Sequence, residues 1–319
     1  MSGIVPYRRP KVTGVTIDGP NTAGYPEKER FPGVRDYDDG VSVEKVGSGW
    51  RVEVSIADVA STVFPGSTVD LKALRQGFTR YGPSRTKHML DNWLANTALS
   101  LLPGEPRRTI TVVIHLDADF CVIASSVQLT QFRSLTRLYL EDVSDISRDP
   151  EHKYYQLVRQ LVEVSVNLRA QLKKREIDAS IDEVVGEKWY LNDKCCGDRV
   201  IQSLMILANC QFAEFCIHHK IPIIFRNFNI DTDAYALYSV ECAGHSIAQG
   251  LGYAHSTSPI RRVIDKVNQD MVRAWLLGLP MPRTLDELSA IASYVNKLVA
   301  GLRTTYDRVS GDEDENSET

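Results

Sequence analysis

The chain has little of several features that would each place it in a class of proteins. Its 319 residues include six cysteines, none spaced as Cys-x-x-Cys, and its formal net charge is −4. Sparse, unpatterned cysteines argue against a disulfide-rich or zinc-stabilised domain and favour a reducing compartment. The near balance of positive and negative charge argues against a strongly basic nucleic-acid binder.

Long apolar segments are lacking too. No run of residues reaches the roughly 18 apolar positions that a membrane-spanning helix needs, and residues 1–11 have no apolar signal segment. We therefore expect a cytoplasmic protein with no membrane contact. Its hydrophobic content of 43% and charged content of 24% are typical of a globular protein with an ample core.

Hydrophobic periodicity indicates strands in the first half of the chain and helices in the second. Strands and one hairpin are predicted at 12–17, 41–46, 50–57, 110–116 and 121–129. Helices are predicted at 69–77, 151–175, 198–219, 263–277 and 285–309. Strands followed by helices are typical of an α+β fold. We expect one domain at 12–309, preceded by a basic lead (1–11) and followed by an acidic, disordered tail (310–319).

Four aspartates lie at predicted strand ends near the start of the chain. Asp18 follows the first strand, and Asp36, Asp38 and Asp39 precede the second. Clustered carboxylates raise one another's pKa and oppose folding unless a cation is present. Oxygen-only ligand sets select Mg²⁺ or Mn²⁺, and such ions support phosphoryl transfer. The alternative is a solvated turn, because Asp and Gly both favour turns.

A second cluster lies more than two hundred residues further on, in the sequence Gly-Tyr-Ala-His-Ser-Thr-Ser-Pro-Ile-Arg-Arg. Ser258 is predicted to be the N-cap of a helix, with Pro259 at its first position. A helix N-terminus beside Arg261 and Arg262 is suited to binding an anion. The alternative is a well-capped surface helix with two solvated arginines.

The two clusters together resemble the RNB family, which includes ribonuclease II, ribonuclease R and the catalytic subunit of the exosome. The resemblance rests on segments that occur in the family's order over about residues 12 to 305: Thr-Ile-Asp, Arg-Asp-x-Asp-Asp-Gly, Trp-x-Val-x-Val-x-Ile-Ala-Asp-Val, Tyr-Gly-Pro, Ser-Leu-Leu-Pro-Gly, Met-Ile-Leu-Ala-Asn and Thr-Ser-Pro-Ile-Arg-Arg. It implies a single RNB-type catalytic domain with a mixed β-sheet surrounded by helices. Unlike ribonuclease II, the chain is expected to have no flanking OB domains.

The resemblance also implies an activity and a metal site. RNB enzymes degrade single-stranded RNA from the 3′ end and release 5′-nucleoside monophosphates. By this likeness Asp18 and Asp39 are direct ligands of Mg²⁺, with Mn²⁺ as an alternative and two ions expected. Asp36 is an indirect ligand or a support, and Asp38 is the carboxylate on which catalysis depends most.

The implied RNA contacts lie in three parts of the chain. Arg261 corresponds to the arginine that contacts the scissile phosphate, and Arg262 and Ser258 accompany it. Tyr81 corresponds to a tyrosine that stacks on a base near the 3′ end, and Tyr139 to a tyrosine near the metal site. Without the family pattern, the sequence favours an ordinary loop tyrosine for Tyr81 and a core residue for Tyr139.

The sequence departs from the family at several positions. The segment 19–35 separates Asp18 from Asp36 as an insertion, and Gln202 and Ser203 stand where the family has acidic residues. Val263 and Gln269 replace a tyrosine and a histidine, and Trp189 is the one candidate for a second stacking aromatic.

These departures keep other functions open. A protein partner is expected to supply the RNA-binding domains that the sequence lacks. The alternative function is an RNA-binding or regulatory protein with a weakened catalytic site. A third reading is a metal-dependent phosphodiesterase that acts on short oligonucleotides or DNA.

Overall fold

The computed structural model describes residues 9–19, 35–81, 86–174, 196–229, 232–233, 235–246 and 251–315. Trp189 and nearly all of the insertion 19–35 lie outside the described residues. So do most of the basic lead and the last four residues of the chain.

Five strands form a closed barrel. They are β1 (Lys11–Ile17), β2 (Asp39–Val46), β3 (Gly49–Ala57), β4 (Pro106–Leu116) and β5 (Val122–Leu138). Neighbouring strands in the order β1 to β5 pair antiparallel, and β1 closes the barrel by pairing parallel with β5. The predicted strands, the hairpin and the mixed sheet are confirmed.

Close packing inside the barrel explains two of its glycines. Phe132 of β5 is buried against the backbone of β1 and β2. A Cβ on Gly40 would lie 2.3 Å from Cζ of Phe132, and a Cβ on Gly14 would lie 2.2 Å from the carbonyl oxygen of Val41. Neither position has room for a side chain, so glycine allows β1, β2 and β5 to meet around the Phe132 ring.

The helices cover the barrel, and all except the first follow it in the chain. They are α1 (Thr68–Gln76), α2 (Leu140–Ile146), α3 (Tyr155–Lys174), α4 (Cys196–His218), α5 (Val263–Leu276) and α6 (Leu285–Glu315). A small two-stranded sheet pairs β6 (Phe225–Asn227) with β7 (Leu237–Ser239). Helix α4 packs on α2, α3 and the barrel strands β4 and β5. The α+β fold is confirmed.

Two helix boundaries differ from the predictions. The helix expected from residue 151 begins at Tyr155, because backbone turns from Asp149 to His152 and from His152 to Tyr155 precede it. Helix α6 ends at Glu315 and so includes residues 310–315 of the segment expected to be a tail. The division into lead, domain and tail stays a prediction.

The apolar helix α4 corrects one expectation. Residues Gly197–His218 are long and apolar enough to cross a membrane by length and composition, although no such segment was expected. However, 61% of this apolar window is buried inside the protein. A mostly buried core helix passes the same test, so this segment is weak evidence for membrane insertion.

The predicted start of the helix after Ser258 is wrong. Helix α5 begins at Val263, with Arg262 in an extended conformation at the N-cap position. The backbone NH of Thr79 donates to the carbonyl of Arg261 at 2.8 Å, and the NH of Val263 donates to that of Gly77 at 2.9 Å. Pairing with this distant segment holds residue 262 extended, and residues 258–261 form a separate turn.

Candidate active site

The loop that carries three of the aspartates is held by a distant segment of the chain. The NH of Arg35 donates to Oδ1 of Asn96 at 3.1 Å, and the NH of Tyr37 donates to Oγ of Ser100 at 3.1 Å. The NH of Leu101 donates in return to the carbonyl of Tyr37 at 3.0 Å. Because the backbone bonds on both sides, the loop enters β2 in one orientation and aims the Asp36 and Asp38 carboxylates inward, where both are buried.

Asp38 joins the two clusters that the sequence singled out. Its Oδ1 accepts a 2.6 Å hydrogen bond from the backbone NH of Ile260, 222 residues away in sequence. Its Oδ2 lies 3.3 Å from Nε of Arg261. Asp38 is buried, whereas 44% of the Arg261 side chain is exposed. One edge of the guanidinium is therefore directed at Asp38, and the rest of this cation stays accessible to an anionic ligand.

Tyr81 lies in the same site. Its hydroxyl donates a 2.6 Å hydrogen bond to Oδ2 of Asp36. The strand-like segment 78–81 that carries it bonds to the backbone beside Arg261 and pairs with residue 87. The ring is 41% exposed, so its hydroxyl is anchored while part of its surface is open. Tyr81, Asp36 and Arg261 thus form one continuous site.

Tyr139 and Asp18 are linked by a residue that the sequence analysis did not single out. The guanidinium carbon of Arg137 lies 3.8 Å from the centre of the Tyr139 ring, and its Nε donates to the carbonyl of Asp18 at 3.1 Å. Arg137 also lies over the ring of Tyr37 at 5.2 Å. Arg137 and Tyr139 are two residues apart at the end of a strand, and this spacing was the available signal that they share a face.

Arg262 and Ser258 have inward-facing partners. Arg262 binds both carboxylate oxygens of Asp265, with Nη2 at 2.7 Å from Oδ1 and Nε at 2.9 Å from Oδ2. Ser258 is buried, and its backbone NH donates to the same Oδ1 at 2.8 Å. Both residues therefore stabilise the turn that presents Arg261. Their contact with RNA stays a prediction.

Three of the four carboxyl groups have raised pKa values. Burial raises the pKa of Asp38 well above its usual range, and the charges of Asp36 and Asp39 add to this effect against the opposing effect of Arg261. Burial, with the charge of Asp18 second, raises the pKa of Asp39 to about 7. Loss of hydration also raises the pKa of Asp18, which Arg261 partly offsets. Burial is the largest cause in all three groups, so keeping these carboxylates ionised is costly unless a further cation is present.

The donor set fits a hard divalent cation. Oδ2 of Asp38 is buried and accepts no hydrogen bond, and a cation beside it would lower the raised pKa values of Asp18, Asp38 and Asp39. In the described part of the chain, no group of three or more His, Cys, Asp or Glu side chains could hold a metal ion as it stands. Asp36 is engaged by Tyr81, and Asp38 by Ile260 and Arg261, so these contacts compete with a metal ion.

Three positions that depart from the family pattern have hydrogen-bond partners within the protein. Gln202 is exposed and its Oε1 accepts a 2.8 Å hydrogen bond from Nη2 of Arg169. The hydroxyl of Ser203 donates to the carbonyl of Arg199 one turn earlier, at 2.7 Å. Gln269 is buried and donates from Nε2 to the carbonyl of Ala57 at 2.9 Å. Gln269 thereby ties helix α5 to the end of β3.

Sequence comparison decides the family. Residues 30–237, more than half of the chain, match the RNB domain. The chain belongs to the RNB family. One relative of this RNB protein is ribonuclease R of Thermotoga maritima, which is 27% identical over 278 residues. That alignment covers 82% of this chain but 37% of the relative, so the chain spans well under half the length of this relative. RNB-family nucleases generally use divalent metal ions.

Solved structures share the fold. Mycoplasma genitalium RNase R, in complex with ribose-methylated single-stranded RNA, superposes with a TM-score of 0.75 and 22% sequence identity, covering 95% of this chain and 58% of that one. Yeast Ssd1, a pseudonuclease, superposes with a TM-score of 0.71 and 17% identity, covering 90% of this chain and 43% of that one. At these identities the likeness concerns the fold, which therefore occurs in both active and inactive proteins.

Proposed function

We propose that this RNB-family chain is a Mg²⁺-dependent 3′-to-5′ exoribonuclease that hydrolyses single-stranded RNA to 5′-nucleoside monophosphates. The observation that carries the proposal is the contact between Arg261 and Asp38 within a group of buried carboxylates. It brings a half-exposed cation for the phosphate next to the oxygen ligands for a metal ion. Ribonuclease relatives over most of the chain support the same activity.

The proposed role of each side chain follows from its charge and its exposure. Arg261 would bind the scissile phosphate with the part of its guanidinium that Asp38 leaves free, and would stabilise the negative charge that develops there. Tyr81 would place its open ring surface against a base near the 3′ end, since stacking on an aromatic ring does not select base identity. Tyr139, supported from one side by Arg137, offers a second ring at the mouth of the site.

Asp18, Asp36, Asp38 and Asp39 are the residues that would hold the metal ion, with Mn²⁺ as an alternative to Mg²⁺ and two ions expected. When bound, the metal supplies an activated water and stabilises charge on the phosphodiester oxygens. In the protein without the metal, Tyr81 contacts the Asp36 carboxylate and Arg261 contacts the Asp38 carboxylate. These contacts limit the repulsion between buried like charges.

A gel time course tests the proposal. The wild-type protein is incubated with 5′-labelled single-stranded RNA in Mg²⁺ or in EDTA, beside Asp38→Asn and a matched control, Asp149→Asn, which changes an exposed aspartate in the turn before α3. We expect a metal-dependent ladder that shortens from the 3′ end with the wild type and the control, and none with Asp38→Asn. Cleavage by Asp38→Asn at the wild-type rate would refute the assignment of the site.

The second candidate is an RNA-binding or regulatory protein with a weakened site. Gln202 favours it, because this exposed neutral side chain, bonded to Arg169, stands where the family has acidic residues. RNA retarded in a binding gel without shortening by the wild type would support this function. Replacement of Gln202 by Glu would then be the direct test of whether the lost carboxylate accounts for inactivity. A partner that supplies further RNA-binding domains, and a cytoplasmic location, also remain proposals.

A further inference from the structure

Three cations lie together on the outside of the barrel, away from the carboxylates of the site. Lys11 of β1 is directly opposite Gln131 of β5, and Gln131 is directly opposite Arg108 of β4. Arg133 follows two residues along β5. Residues opposite each other, and residues two apart, project from the same face of a sheet. We call Lys11, Arg108, Gln131 and Arg133 the basic sheet face.

The cations of this face are exposed and have no neutralising partner among the residues that the structure describes. Lys11, Arg108 and Arg133 are all exposed, and none of them forms an ion pair within the described residues. Other arginines differ: Arg9 binds Asp58 and two backbone carbonyls, and Arg107 binds Glu105 and the carbonyls of residues 97 and 100. Arg133 is the diagonal neighbour of both Lys11 and Arg108, so these like charges repel one another at a distance of about 7–8 Å, and an anionic ligand would relieve that repulsion.

Strand β5 connects this face to the site. Arg133 and Leu135 are exposed, and the strand continues through Arg137 to Tyr139, which lies next to Asp18 and is 39% exposed. At about 3.3 Å per residue, the distance from Gln131 to Tyr139 is roughly 26 Å. An RNA strand with its 3′ end among the aspartates would therefore reach the basic sheet face several nucleotides upstream.

We propose that the basic sheet face binds the phosphate backbone of single-stranded RNA several nucleotides upstream of the 3′ end in the site. The proposal rests on the proposed function for the direction of the strand. It fits the chemistry of the face, where flexible cations on a sheet contact phosphates without reading bases. The face also gives a role to the basic end of the N-terminal lead at Lys11.

The test compares two triple variants that lose the same charge. Lys11→Gln/Arg108→Gln/Arg133→Gln removes the face, and Arg75→Gln/Lys220→Gln/Lys297→Gln removes three cations on α1, after α4 and on α6. RNA affinity is measured by fluorescence anisotropy in EDTA, so that nothing is cleaved. With RNA of about 20 nucleotides we expect the face variant to bind about tenfold more weakly, and its slope of log affinity against log salt to fall by about 2.

RNA length provides the second arm. With an RNA of about 4 nucleotides, too short to reach from the site to the face, the face variant is expected to bind like the wild type. Unchanged binding of the long RNA would overturn the proposal. So would an equal loss of affinity in the control variant, or an equal loss for the short RNA, since each would indicate a general charge effect.

The outcome separates this proposal from the proposed function. If wild-type protein cleaves no RNA but the face variant loses affinity for long RNA alone, the exoribonuclease activity fails and the binding face is retained. If wild-type protein cleaves RNA and the face variant binds and cleaves long RNA like the control, the activity is retained and the face is refuted.

Discussion

The hydroxyl of Tyr81 donates a 2.6 Å hydrogen bond to Oδ2 of Asp36. Burial and the charge of Asp36 together raise the pKa of the Tyr81 phenol far above its usual range, so the proton stays on the tyrosine. The residue implied to stack on a base therefore also fixes a carboxylate of the site. Its ring and its hydroxyl can be tested separately.

Replacing Tyr81 by Phe removes the hydrogen bond and keeps the ring. We expect the final product length to stay the same and kcat to fall by about tenfold, because Asp36 loses a partner worth roughly 1.5 kcal/mol. Tyr81→Ala should in addition lengthen the shortest product or weaken the hold on the 3′ end, since the stacking surface is lost. Product ladders and rates for the two variants are the measurement. A Tyr81→Phe enzyme identical to wild type would show that the hydroxyl has no role.

The buried charge of Asp38 is suited to the chemistry of the site but lowers the stability of the folded protein. Its charge is buried and its pKa is raised, so Asp38→Asn should leave thermal stability unchanged or raise it by about 1 kcal/mol in EDTA. The amide oxygen can still accept the hydrogen bond from Ile260. Thermal unfolding with and without Mg²⁺ checks this. The wild type should gain stability from the metal by mass action and Asp38→Asn should gain less. Equal gains in the two proteins would mean that Asp38 is not a ligand.

The sequence predicts the strands of the barrel, although not its closure, because the signals for single strands are local. Segment 50–57 alternates between apolar and polar residues, segment 12–17 is rich in β-branched residues, and the structure places β3 and β1 there. It does not predict that Asp38 bonds to Ile260, because that contact joins segments 222 residues apart. Ser258 shows the same limit. Ser-Pro is a good local signal for a helix start, yet pairing between the Phe78 segment and Arg262 delays the helix until Val263.

Arg137 was missed for a related reason. An arginine near the end of a strand usually points to solvent, and its type alone gives no role. In the structure its guanidinium lies against the ring of Tyr139 and bonds to the carbonyl of Asp18. Arg137→Lys should keep the charge but lose the planar contact and the bond to Asp18. We expect KM for RNA to rise several-fold while the fold remains intact. An unchanged KM would leave Arg137 with no role beyond packing.

Two histidines near the turn that presents Arg261 should make the fold sensitive to acid. Burial lowers the pKa of His255 well below its usual range, and burial followed by the charge of Arg226 lowers that of His245 to about 4. The unfolded chain takes up protons near pH 6.5 and the folded chain does not. Stability is therefore complete above pH 6.5 and is lost below it, by about 1.4 kcal/mol per pH unit for each histidine.

Denaturant unfolding between pH 7 and pH 5 measures this effect. His245→Phe keeps a ring against Tyr253, which lies 4.7 Å away, and should reduce the loss of stability on acidification. His115→Phe removes a histidine on β4 and serves as the control. A slope that is the same in wild type and His245→Phe would show that His245 does not remain neutral in the folded state.

A buried charge network fastens α1 to α5 behind the site. Lys266 is fully buried and binds Asp70 and Asp270, the latter at 2.9 Å, and Arg283 binds Asp70 at 2.7 Å. Replacing Lys266 by Met removes one cation and leaves two buried carboxylates with one arginine. Because an uncompensated buried charge is costly, we expect the free energy of unfolding to fall by about 3–5 kcal/mol.

An exposed ion pair between α1, the helix that carries Asp70, and a nearby loop provides the control for that change. Lys72 of α1 contacts Asp91 at 2.6 Å with both side chains about half exposed, and solvated pairs contribute only about 0–1 kcal/mol. Lys72→Met should therefore shift the denaturation midpoint very little. If Lys266→Met shifts it no more than Lys72→Met does, the buried network does not stabilise the fold. The double variant Lys266→Met/Asp270→Asn tests the cause of a large shift. If the double variant is more stable than Lys266→Met alone, the cost comes from the unpaired carboxylate, because Asp270→Asn removes the buried charge that the lysine had compensated.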